Sequence, residues 1–169
     1  DESHDESDYA AAIRLVRGGL VAAVEEGLGL LIENPDCFER VCDEFVASLP
    51  AVQAWQDLYD LLLNAVEDAG DYDRAAVLEL CDRPLLLEAF HASVRRVERV
   101  PRQQMPEVFD RVIGRIRQES AAEVIRQHRE TVRNRSSDEA EAFAKILEAS
   151  RKQASVVPLE YRLREGGGQ

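Results

Sequence analysis

Glu88 and His91 stand three residues apart in an apolar-periodic stretch. That spacing puts a carboxylate and an imidazole on one helix face, the unit from which carboxylate-bridged metal sites in helical bundles are built. Such a site needs a second Glu-x-x-His and two further inward carboxylates. The other mid-chain histidine, His128, has Ile125 three residues before it, so the second copy is missing. Cys37, Cys42 and Cys81 with His91 would supply four zinc donors, but no Cys-x-x-Cys turn presents two thiolates to one tetrahedral ion. Cys81 with His91 as nucleophile and base is a pairing that any few cysteines and histidines offer by chance. The chain holds no Gly-x-Gly-x-x-Gly, Walker loop, His-Glu-x-x-His or Gly-x-Ser-x-Gly. Gly18-Gly19 and Gly27-x-Gly29 sit inside a helical pattern and not after a strand, which argues against a phosphate loop. The residues therefore predict a protein that is not an enzyme, with no catalytic residue, cofactor or metal; a helical metal- or ligand-binding enzyme ranks last among the readings.

Arginines make the other candidate surface. Arg95, Arg96, Arg99 and Arg102 cluster together, and Arg111, Arg115, Arg117, Arg126, Arg129 and Arg133 follow at helical spacing, a series that could track phosphates. Glu98, Glu107, Asp110, Glu119, Glu123 and Glu130 are threaded through the same stretch, several of them three or four residues from an Arg. Residues 1–90 carry 21 acids against 5 Arg, and residues 91–169 carry 12 acids against 16 Arg and Lys. So modest a basic excess beside so acidic a neighbour favours a solvated or intersubunit ion-paired face over nucleic-acid binding, which stays as the alternative.

The elements that must position these groups read as helices. Ala, Leu and Val dominate the apolar residues and aromatics are only 6% of the chain, a mix suited to helix-on-helix packing. The pattern predicts an all-α protein: a bundle of about five short-looped helices, a long amphipathic helix, a final helix and an extended C-terminal arm. Residues 1–8 form an acidic N-terminus without an apolar anchor, expected to be disordered. The bundle takes residues 9–100. Its first helix spans about Tyr9 to Glu33, central, with the small row Gly19, Ala23 and Gly27 admitting a close neighbour. Pro35 and Asp36 open a second helix to Ser48, and Pro50 a third to Gly70. A short fourth follows from Tyr72 to Cys81 with Ala76, Val77 and Leu80 inward. The fifth, after Pro84, carries a stripe of Leu86, Leu87, Phe90, Val94 and Val97.

Residues 101–154 hold the Arg-rich long helix, Pro106 to about Arg133, with Phe109, Val112, Ile113, Ile116, Val124, Ile125 and Val132 on a narrow stripe. A last helix is capped by Ser137-Asp138-Glu139, with Phe143, Ile146 and Leu147 inward. The three cysteines read as small buried hydrophobes. Residues 155–169 form the arm: Val157, Leu159, Tyr161 and Leu163 alternate at strand period without a strand partner in the chain. No run is apolar and long enough for a transmembrane helix, and the acidic start is unlike a secretory signal, so a soluble protein of the cytoplasm or a virion is expected. The acid excess and the 19 Arg against 2 Lys fit either a GC-rich coding sequence or a high-salt host.

These readings predict a structural subunit that docks with protein partners, as a homo-oligomer or within a larger assembly, without a membrane. The residues expected to bind the partner are Val157, Leu159, Tyr161 and Leu163 of the arm, and Arg111, Arg115, Arg126 and Arg133 of the long helix. In layout alone, a helical bundle with a C-terminal arm resembles the connector rings at the neck of tailed viruses. That resemblance implies a ring-forming virion protein.

Overall fold

The computed structural model describes residues 7–153. The expectations for residues 1–6, and for the arm with Val157, Leu159, Tyr161 and Leu163, lie outside the described residues. Every regular element among the described residues is a helix, with no strand. The chain divides into two units, Asp1–Ala122 and Glu123–Gln169.

In the first unit, the helix expected from Tyr9 to Glu33 is two: α1 (Asp8–Arg14) and α2 (Gly18–Glu33). Ser7 caps α1, its Oγ accepting from the Ala10 amide at 3.1 Å. Arg17 is extended (φ −59°, ψ 134°), and the poor helix formers Gly18-Gly19 follow it. The break is required by a contact: the Tyr9 hydroxyl lies 2.7 Å from Glu25. In one straight helix those residues would stand about 24 Å apart.

α2 is the centre of this unit, as its apolar run predicts. Ala23, Val24, Leu28, Leu30, Leu31 and Ile32 are fully buried, and α1, α4, α5 and α6 all pack on it. Its small residues admit close neighbours. A Cβ on Gly27 would lie 2.5 Å from the Phe45 ring, but the tightest backbone approach is at Gly29, outside the predicted row, where a Cβ would stand 2.2 Å from the Ser93 carbonyl of α6.

The expected second helix is a 3-10 turn (Pro35–Arg40) and a short α3 (Asp43–Ser48), separated by extended Val41 and Cys42. Asn34, not Asp36, caps the turn: its Oδ1 accepts from the Asp36 amide, while its Nδ2 donates to the Arg102 carbonyl at 3.4 Å. A 3-10 turn at Leu49–Ala51 leads into α4 (Gln53–Ala69), which ends at Gly70 with φ 74°, the left-handed conformation that favours glycine. α5 (Arg74–Leu80) is capped by Asp73 and buries only Val77; Ala76 and Leu80, expected inward, are exposed. The buried face runs from Val77 to the capping residue Cys81 four positions on, which turns Ala76 and Leu80 outward. α6 (Pro84–Val97) starts on proline and buries Leu86, Phe90, Val94 and Val97, with Leu87 half-buried.

α7 (Met105–Gln153) is one helix of 49 residues, where two were expected. No proline or glycine follows Gly114 within it. Ser136 and Ser137 cost a helix interior only about 0.5 kcal/mol each, too little to force an end at a capping-type sequence. In the first unit it buries Met105, Phe109, Val112, Ile113 and Ile116. In the second unit every described residue from Val124 to Arg151 is exposed. Val124, Ile125 and Val132 therefore do not continue the buried stripe, and Phe143, Ile146 and Leu147 are not inward.

Gly29→Ala is expected to lower unfolding stability by about 1–3 kcal/mol through overpacking against α6. Gly18→Ala, with nothing within 4 Å of its Cβ, should be neutral or slightly stabilising. Urea unfolding of both variants checks this.

Candidate functional site

Glu25 is a carboxylate in the apolar run of α2 and is only 2% exposed. An isolated charge there would be costly to bury; two elements supply its partners and a third backs one of them. From α1, the Tyr9 hydroxyl donates to Glu25 Oε2 at 2.7 Å. From α4, Trp55 Nε1 donates to the Tyr9 oxygen at 3.0 Å. From α6, Arg96 Nε donates to Glu25 Oε1 at 2.9 Å. Burial, and then the Glu25 carboxylate, push the Tyr9 hydroxyl well above its usual range. Tyr9 is thus held as a neutral donor.

This chain of polar groups surfaces in an open cleft of about 560 Å³ between α1 and α6, lined by Tyr9, Glu25, Glu88, His91, Arg95 and Arg96. The predicted Glu88 and His91 pair does share that wall. Among the described residues, however, no group of three His, Cys, Asp or Glu side chains is placed to hold a metal ion. Arg95 Nε donates to the His91 carbonyl at 3.2 Å. The carboxylate buried deepest in the cleft already has both oxygens engaged, Oε2 by Tyr9 and Oε1 by Arg96. Cys37 and Cys81 are buried and Cys42 is half-buried, all three as free thiols. Burial pushes the Cys37 thiol up to about 11, which suppresses the thiolate that nucleophilic chemistry needs.

The predicted arginine surface divides. Arg115 pairs with Glu26 of α2 and Arg126 with Glu123 at 2.7 Å one turn back. Arg111 and Arg133 are exposed and make no ion pair among the described residues. Arg111 and Arg115 belong to the first unit, Arg126 and Arg133 to the second. Other arginines of the basic half meet acids of the acidic half within the same chain. Arg117 Nε lies 3.0 Å from Glu44 and Arg96 holds Glu25. The Glu44 carboxyl is held down to about 2 by hydrogen bonds from the Cys42 side chain and its own backbone amide, and then by Arg117.

Sequence reasoning missed the Tyr9–Glu25–Trp55–Arg96 chain. Its signal was Glu25 itself, since a carboxylate among residues that must be buried needs a donor from another element. Comparison of the chain with protein-family models, with curated proteins and with solved structures found no match.

Two measurements check this geometry. Tyr9→Phe leaves the Trp55 indole and one Glu25 oxygen without their partner and is expected to cost about 1–3 kcal/mol in urea unfolding. Because the Glu44 pKa is depressed in the folded protein, the stability it contributes is present above the ordinary glutamate range and lost as pH falls toward about 2. Carboxyl-carbon NMR should show Glu44 titrating near the low end, and Arg117→Ala should move it upward.

Proposed function

We propose that this protein is a non-enzymatic structural subunit that docks into a larger assembly, using the second unit of α7 together with the C-terminal segment. One observation carries the reading: residues 124–151 form continuous helix without a single buried side chain, yet include Val124, Ile125, Val132, Phe143, Ile146 and Leu147. In globular proteins a helix draws most of its stability from packing an apolar face. A helix that displays six large hydrophobic residues to water has the composition of an interface. An oligomeric ring, of the kind found as a connector at a virion neck, is one assembly such a subunit suits.

Protein is favoured over nucleic acid as the partner. Arg40, Arg96, Arg115 and Arg117 are engaged by acids of the same chain, and phosphate binding would have to displace those pairs.

In extract of the cells that make it, the protein is expected to elute far above its 19.0 kDa chain mass. The triple variant Ile125→Glu, Phe143→Glu and Leu147→Glu should elute near that mass with its helicity intact by circular dichroism. Elution of the native protein as a free monomer would overturn the reading.

A further inference from the structure

We propose that residues 124–148 of α7 pair with the same residues of a second copy of this chain, antiparallel, about a two-fold axis beside Ser136. The inference rests on the docking reading above and names the partner. Ile125, Val132, Phe143 and Leu147 recur at spacings of seven, eleven and four residues. Each spacing is close to a whole number of turns at about 3.6 residues per turn, so the four share one face, with Ile146 at its edge. All five are exposed. Ile125 and Leu147 lie eleven residues either side of Ser136, and Val132 and Ala140 four. Reversing one copy on the other therefore sets Ile125 level with Leu147 of the second copy and Val132 level with its Ala140. The small Ser136 falls at the crossing.

Charge selects the direction. Residues 126–135 carry Arg126, Arg129, Arg133 and Arg135 against Glu130 alone, whereas residues 138–148 carry Asp138, Glu139, Glu141 and Glu148 against Lys145 alone. A parallel pair would set like against like along its length. The antiparallel pair sets basic against acidic, with Arg126 within a turn of Glu148 of the second copy and Arg135 within a turn of its Glu139. The pairs these arginines make now, Arg126 with Glu123 and Arg135 with Glu139 at 3.9 Å, are exposed intrahelical contacts and hold them only weakly.

Charge also selects the place. Residues 1–122 carry 25 acids against 12 Arg, so two copies repel through that part of the chain. Residues 123–153 carry 6 acids against 7 Arg and Lys, and there two copies can approach without that penalty.

The test uses the full purified chain. Sedimentation equilibrium is expected to give twice the 19.0 kDa chain mass. A chain carrying Ile125→Cys mixed with one carrying Leu147→Cys should form a disulfide-linked dimer on mild oxidation, while neither forms one alone. In the antiparallel pair like positions stand about 33 Å apart. Ile125 and Leu147 are both exposed, so neither cysteine disturbs a packed interior. Arg126→Glu alone and Glu148→Arg alone should each weaken the dimer several-fold, and the double swap should restore it. A monomer at every concentration, a 125-to-125 cross-link, or single swaps without effect overturns the proposal. A purified monomer that still runs in a large complex in cell extract would sink the second copy as partner and leave the docking reading standing.

Discussion

The fold of the first unit depends on satisfying one buried carboxylate. Glu25 sits where an apolar residue would cost nothing, and its presence requires that α1 turn back, that α6 lie alongside and that α4 bring Trp55 behind Tyr9. Removing one donor would strand a charge or a polar atom in a low-dielectric surrounding. The interaction therefore specifies arrangement more than it adds stability, since buried ion pairs recover little beyond their desolvation cost. The break at Arg17 and the docking of α1 both follow from it.

The second constraint is distance. Gly29 lets the α6 backbone come so near α2 that a single methyl group would collide with a carbonyl. That approach places Arg96 within reach of Glu25. Around this pair, arginines of α6 and α7 meet acids of α2 and α3, so the charge asymmetry between the chain's halves is partly neutralised inside one molecule. The acidic character that remains is a property of the outer surface.

Much of the helical content was legible because period and punctuation agreed. Pro84 starts α6, Gly70 ends α4, and the stripe Leu86, Phe90, Val94 and Val97 is buried as its spacing demands. What failed were boundaries decided by tertiary contact. Gly18-Gly19 only weaken the helix beside Leu15–Arg17; what requires the break is the contact between Tyr9 and Glu25, sixteen residues apart, which exists only in the folded chain. Ser137-Asp138-Glu139 has the composition of a cap but no chain reversal to cap. The Ala76 and Leu80 expectations failed because the face that meets the core is the one through Val77 and Cys81, a choice set by how α5 docks and not by its own period. The candidate site was half visible: Glu88 and His91 do share a cleft wall, but the groups that organise it belong to α1, α2 and α4 and are joined only in space.

Trp55 is the only tryptophan in the chain, fully buried, with its indole N–H bonded to Tyr9. An indole emits at shorter wavelength when dry than when wet, and its emission responds to a bonded, polarised neighbour. The protein thus carries one intrinsic fluorophore, placed where the first helix latches onto the rest of its unit. Its colour reports whether that latch is shut, separately from whatever happens along the exposed length of α7.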